Sequence, residues 1–338
     1  MSQSESIHDL VQSHRITAVI YVAAKLNLAE AIGEDAKSAA ELAGLVFTDE
    51  RALRRLLVGM TTVGLCKQVD RDRFSLTDLG RQLDGSADQS FKDWALFEGE
   101  ILVQSWSGLI DSVRTGKSAT QLRGEGDDRY AAGGNSPEWI ARFNAAMVNL
   151  TRTVVPQIVE AFDFSTARVV LDVGGGTGEL LGGVLRHHPS LEGIVFDLAR
   201  CEEGARAHFD RLGIANRCRF VAGNFFETVP CGADTILLKS IIHNWKDDRC
   251  RTILRNCRDA LPSGGKLIIV ERIMPEPAVA DPEHRSRAMS DLNMLRGTGG
   301  VERTESEYRT LTESAGFVFA KTSSAGAFSL IQFEKVAS

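Results

Sequence analysis

From Arg168 onward, short apolar runs alternate with amphipathic ones: RVVLDV, ELLGGVLRHH, GIVFDL, RCRFVAG, DTILLKS, DDRCRTILRNCRDAL and KLIIVE. Unbroken Val, Ile and Leu runs belong to strands buried on both faces, and such strands need helices on either side. This half is therefore predicted to be α/β, a doubly wound and mostly parallel sheet. AGFVFAKTSS and AFSLIQFEK close the chain as two more strands, expected to be antiparallel because only a short link joins them.

The chain has 338 residues, more than one hydrophobic core of roughly 250 to 300 residues organises, so a second domain is expected in front. Residues 7–32 return Ala, Leu, Ile and Val every three or four positions and predict helix. Ser38 with Glu41 forms a capping box, and Thr48, Asp49 and Glu50 open a helix striped by Leu53, Leu56, Leu57 and Met60. CKQVDRDRFSLTDLG predicts a hairpin turning at Asp70 to Asp72, with Thr77 starting the next helix.

Residues 1–90 thus read as a winged-helix module. Its sharpest functional reading is DNA binding, but the stretch carries 10 Lys and Arg against 13 Asp and Glu, net −3, and the whole chain −6. A DNA reader gains most of its affinity by neutralising phosphates, so no nucleic-acid partner is expected and the module is read as a homodimerisation surface. Residues 91–165 continue as helices, with a glycine-rich break at GEGDDRYAAGG, and are read as a linker and substrate lid. The last domain is expected to span 166–338.

No apolar run reaches the roughly 18 to 20 residues of a membrane span. The six cysteines include no C-x-x-C pair, and MSQSESIHDL lacks a basic-then-apolar leader. A reduced, cytoplasmic protein with no membrane partner is expected.

VVLDVGGGTGELL is a strand running into a glycine turn and a helix, where backbone N–H groups can approach a ligand at the carboxyl end of the first strand. Asp197 ends the next strand, placed to accept hydrogen bonds from a ribose diol. A dinucleotide site wants G-x-G-x-x-G, whereas here glycines stand at 174, 175, 176 and 178 with Glu179 behind them. An acid there disfavours pyrophosphate and, with Asp172 ending the strand, suits a ligand bearing an ammonium group. That favours S-adenosylmethionine over NAD; a tight turn with no ligand is the plain alternative.

LLKSIIHNWKDD carries His243 just past an apolar run, where a capping or packing role explains every letter. Several motifs in order change its weight: LDVGGGTG (171–178), FDL (196–198), GNFF (223–226), LKSIIHNW (238–245), VER (270–272), DLNMLRGTGGVERTESEY (291–308) and AGF (315–317). Nearly end to end the chain resembles the two-domain, dimeric S-adenosylmethionine-dependent O-methyltransferases acting on plant phenolics and bacterial aromatic metabolites.

The resemblance implies that Gly174, Gly176 and their neighbours contact the amino-acid end of the cofactor and Asp197 its ribose. Asn224 and Phe225 would border the adenine, with Lys239 beside it, and S-adenosylhomocysteine would be the product. It places the base on His243 and its flanking acids on Glu271 and Glu302, with no metal. Two positions depart from the family: Asn224 and Asn244 stand where aspartates are usual.

The chemistry asks for such residues. A phenol of pKa near 10 is mostly protonated at neutral pH, and a histidine of pKa about 6.5 held by a carboxylate is suited to take the proton. Phe143 and Met147, i and i+4 on one helix, could wall an aromatic substrate, joined by Trp245 and Met294, with Asn293 or Asp291 as polar contacts; ordinary core is the competing reading. Arg142 could meet the cofactor carboxylate, and His187 and His188 read as partners of a helix dipole. Methylation of a heteroaromatic nitrogen is the near alternative. From another class, a winged-helix regulator that senses S-adenosylmethionine would explain the N-terminal pattern without catalysis.

Overall fold

The structure, a computed structural model, describes residues 6–126 and 137–336. These form two compact units, one of 6–107 with 137–150 and the other of 108–126 with 151–336. Of the glycine-rich stretch GEGDDRYAAGG, residues 127–134 lie outside the described residues.

In the first unit, the helix expected over 7–32 is three: α1 (Ile7–Gln12), α2 (His14–Lys25) and α3 (Leu28–Ile32). The second break falls at Asn27, whose φ of 53° lies in the left-handed region that short polar side chains tolerate. That reversal lets Leu28, Ala29 and Ile32 face the core. After β1 (Lys37–Ser38), α4 (Ala39–Val46) carries the expected Ser38–Glu41 capping box. α5 (Glu50–Thr62) starts on Asp49 and buries Leu53, Leu57 and Met60.

β2 (Cys66–Gln68) and β3 (Arg73–Leu76) make the antiparallel hairpin, β1 pairs on the other side of β3, and Thr77 caps α6 (Asp78–Arg81). Then come α7 (Lys92–Phe97), a π-helical turn at Glu98–Leu102 and α8 (Val103–Ser105). The second unit begins with α9 (Leu109–Thr115) and α10 (Ala119–Leu122). α11 (Pro137–Ala161) gives residues 137–150 to the first unit, where Trp94, Phe97, Trp106, Trp139, Phe143 and Met147 share one largely aromatic apolar cluster.

The second unit alternates as predicted: β4 (Val169–Val173), α12 (Glu179–His187), β5 (Glu192–Asp197), α13 (Glu202–Leu212), β6 (Cys218–Ala222), β7 (Thr235–Lys239), α14 (Asp247–Ala260) and β8 (Lys266–Glu271). α15 (Pro282–Gly297), α16 (Glu305–Glu313), β9 (Phe317–Ala325) and β10 (Phe328–Lys335) complete it. The sheet order is β6-β5-β4-β7-β8-β10-β9, with the first five strands parallel and β10 antiparallel to both neighbours. Successive side chains of a strand point to opposite faces, so Leu171, Ile236, Leu238 and Ile269 bury into one core and Val170, Leu237, Ile268 and Val270 into the other.

Strand order reverses direction between β4 and β7, which opens a crevice at their carboxyl ends. No helix of the described residues is long and apolar enough to cross a membrane.

Candidate active site

The loop after β4 is built by glycine. Gly174, Gly176 and Gly178 have φ of 74°, 58° and 81°, a region that costs other residues roughly 1 to 2 kcal/mol. A Cβ on Gly174 would meet the Ile241 side chain at 2.3 Å, and one on Gly178 the Phe209 ring at 2.8 Å. A Cβ on Gly176 would meet nothing within 4 Å, so the loop is open on that side. The Gly176 N–H donates to Asp197 Oδ2 at 2.8 Å and the Leu198 N–H to Oδ1 at 2.6 Å, so the β5 carboxylate and the loop form one unit. Burial raises the Asp197 pKa against these donors.

Below the loop, burial pushes the Asp172 carboxyl up to about 7, and its Oδ2 has no hydrogen-bond partner among the described residues. An open glycine cradle over an unsatisfied buried acid fits a nucleoside cofactor bearing positive charge. Behind the loop, Arg152 donates to both oxygens of Glu179, at 2.8 and 3.3 Å, and His208 lies 3.5 Å away, so a neighbouring guanidinium already answers this acid.

The Phe225 ring lies near Gly174, 3.7 Å from where a Cβ would stand. Asn224 Oδ1 accepts the Phe226 N–H at 3.0 Å and its Nδ2 donates to Glu227, so the amide builds its own turn. Lys239 ends β7 with Nζ 4.9 Å from the Phe328 ring centroid. Burial pulls its pKa down to about 8 while Glu271 and Asp172 oppose the fall.

A second cluster collects around His243, on a 3-10 turn at Ile242–Asn244 after β7. Its Nδ1 is 2.9 Å from Glu302 Oε1 and 3.4 Å from Glu271 Oε2. The His243 N–H donates to Glu271 Oε1 at 3.2 Å. Facing two carboxylates, Nδ1 keeps its proton in the neutral imidazole, so it is Nε2 that gains a lone pair when the imidazolium deprotonates. Glu302 is held in turn: Ser290 Oγ donates to its Oε1 at 2.8 Å, and its own N–H donates to Asp291 Oδ1 at 2.9 Å.

Burial alone would lower the His243 pKa, but Glu271 and Glu302 outweigh it and push it up to about 9. Burial pushes Glu271 up to about 7. Glu302 falls below its ordinary value despite burial, because the imidazole lies against it.

Trp245, expected as a substrate wall, is 5% exposed, its indole packed edge-to-face on Phe226 at 4.7 Å. Arg142 is paired within the first unit with Glu100 at 3.2 Å and Asp93 at 3.6 Å. Asn244 Nδ2 donates to the Ser240 carbonyl at 2.8 Å, bracing a residue with φ of 56°.

Met294 and Asn293 lie half-buried on α15, the Asn293 oxygen accepting from Arg296, and Phe143 stacks on Trp139 at 5.1 Å in the first unit. Ser290 and Arg303 were not singled out by sequence reasoning, although both stand inside or beside motifs it quoted. A cleft at the amino edge of the sheet is lined by Glu192, Arg217 and Arg219, but Arg217 spends its guanidinium on the carbonyls of Leu185, His188 and Leu191.

A doubly wound sheet with a glycine cradle, a strand-end acid and a histidine between two glutamates at its carboxyl edge defines a nucleoside-cofactor enzyme equipped to move a proton. Residues 106–318 match the O-methyltransferase domain and residues 8–84 the O-methyltransferase dimerisation domain. The chain is 36% identical over 315 residues to O-demethylpuromycin-O-methyltransferase of Streptomyces alboniger, covering 93% of this chain and 83% of the relative. It is 32% identical over 318 residues to phenazine O-methyltransferase PhzM of Lysobacter antibioticus, covering 94% and 92%.

Among solved structures, NcsB1 from neocarzinostatin biosynthesis, crystallised with S-adenosylmethionine and 2-hydroxy-5-methyl naphthoic acid, superposes with a TM-score of 0.75 at 28% identity, covering 95% of this chain and 96% of that one. The chain belongs to the O-methyltransferase family, and it is an S-adenosylmethionine-dependent O-methyltransferase.

Proposed function

We propose that this enzyme methylates a hydroxyl of an aromatic small molecule in secondary metabolism, with His243 as general base. The observation that carries the reading is the placement of Nδ1 between Glu302 and Glu271, which reserves Nε2 for the substrate hydroxyl. Gly174, Gly176 and Asp197 would hold S-adenosylmethionine, with Asn224, Phe225 and Lys239 along its nucleoside end. Bound there, it supplies an electrophilic methyl group.

His243 takes the hydroxyl proton at Nε2, and the two carboxylates stabilise the resulting imidazolium. Such help is worth about 100- to 10,000-fold, and the remainder comes from positioning. An aromatic substrate is supported by the relatives named above and by the Phe143–Trp139 stack in a cluster that also holds Met147. Met294 and Asn293 are further candidates for substrate contact.

The same reading assigns residues 1–90 to homodimerisation, which the dimerisation-domain match supports. It assigns 91–165 to the substrate region, 166–338 to cofactor and chemistry, and the protein to the cytoplasm, which six free cysteines support. Transfer of radiolabelled methyl from S-adenosylmethionine to a panel of phenols and N-heterocycles tests it. Label on a phenolic oxygen is expected; label confined to ring nitrogens overturns the hydroxyl assignment.

A further inference from the structure

We propose that Arg303 is a positioning residue, which holds the turn bearing His243 in register with Glu302; the proposal rests on the reading of His243 as base. Glu302 and Arg303 are adjacent in VERTESEY, and both are 3% exposed. The carboxylate meets the imidazole, while the guanidinium meets the backbone of the turn. Arg303 Nη2 donates to the Trp245 carbonyl at 2.9 Å and Nη1 to the Ile242 carbonyl at 3.3 Å, the residues on either side of the His243–Asn244 pair. Its charge is answered by Asp247 Oδ1, at 2.8 Å from Nη2 and 3.2 Å from Nε, at the start of α14.

A second observation comes from the backbone just before it. The Val301 N–H donates to the His243 carbonyl at 2.9 Å, and a Cβ on Gly300 would stand 2.0 Å from that same oxygen. Only glycine lets residues 300–303 lie this close to the turn. On its far side, the Arg303 carbonyl accepts the Met274 N–H at 2.9 Å, and Arg303 bridges to Ile273 just past β8. One residue therefore ties together the segments carrying His243, Glu271 and Glu302. Protein interiors are close-packed and shift in steps, so a looser tie should move the imidazole relative to both acids.

The groups facing the imidazole are Glu271 from β8, Glu302 from the 300–303 segment and Lys239 from β7. Arg272 acts on Glu302 through space, and Asp291 of α15 accepts the Glu302 N–H. Arg303 lies against the turn's carbonyls.

Arg303→Lys and Asp247→Asn, made in the full chain, test the proposal by steady-state kinetics, by nitrogen NMR titration of the His243 ring and by thermal melting. Lysine keeps the charge but cannot fork to two carbonyls. In Arg303→Lys, kcat should fall about 10- to 100-fold with the S-adenosylmethionine Kd within about twofold. The His243 midpoint should move down toward its ordinary value, and Asp247→Asn should move both readouts less in the same direction. Gly300→Ala, which pushes on the same oxygen, should reproduce the pattern and carries the test if Arg303→Lys does not fold.

A lower Tm with an unchanged midpoint and an unchanged kcat per folded enzyme would overturn the proposal. The midpoint is read without turnover, so it is independent of the base assignment. Should His243→Ala keep full kcat while the midpoint moves in Arg303→Lys, the base reading fails and the tie stands.

Discussion

Two halves of the same sheet edge are built on different principles. The cradle after β4 is made of backbone: three left-handed glycines and two N–H groups that donate to Asp197, all within residues 174–198. The cluster around His243 is made of charge: an imidazole and two buried carboxylates delivered by segments 28 and 59 residues away. The first is a matter of shape, sensitive to added atoms. The second is a matter of electrostatics at low local dielectric, sensitive to removal or displacement of a charge.

The largest separation of the two halves should come from His243→Ala. Its kcat is expected to fall by about 100- to 10,000-fold with calorimetric affinity for S-adenosylmethionine nearly unchanged; equal losses in both quantities would erase the distinction. Gly178→Ala should behave in the opposite sense. Its added Cβ meets Phe209 at a φ of 81°, so cofactor affinity should weaken by about 10- to 100-fold, the equivalent of about 1.4 to 2.8 kcal/mol, while kcat at saturation largely survives.

A smaller effect sharpens the electrostatic half. With its pKa pushed up to about 9, His243 is mostly protonated at neutral pH, and the base role proposed for it requires loss of that proton. Consequently kcat/KM should climb about tenfold per pH unit and level near that value. Glu302→Gln removes a charge that holds the proton on, so its limb should shift to lower pH; a limb that stays in place would separate the pH dependence from this cluster.

The smallest effect expected is that of a chelator. Ligand atoms of His243, Glu271 and Glu302 lie within 4.8 Å of one another, close enough to share a cation. EDTA should leave methyl transfer intact, and loss of activity restored by a divalent ion would reassign the cluster.

Much of the cradle was legible because it is local. A strand followed by LDVGGGTG dictates a positive-φ turn wherever it occurs, and an acid closing the next parallel strand must arrive beside it. His243, Glu271 and Glu302 were reachable only through the ordered motifs of the resemblance, since no spacing in the chain announces that they meet. The surroundings of Trp245, Arg142 and Glu179 were not legible, because whether an indole turns inward or a guanidinium finds an acid depends on side-chain direction. Arg303 was not legible because its partners, the carbonyls of Ile242 and Trp245 and the Asp247 carboxylate, lie more than 50 residues away along the chain.

Read from the letters alone, the alternation of apolar runs determined the layered α/β domain, because buried strands and amphipathic helices have different periods. Its glycines likewise determined where the backbone would open toward a ligand. Only the tertiary structure decided which charges face one another, and with them the raised pKa of His243 and the enclosure of its turn by Arg303. The reason is that Coulomb interaction depends on distance in space and on exclusion of water, neither of which is a property of neighbours along a chain.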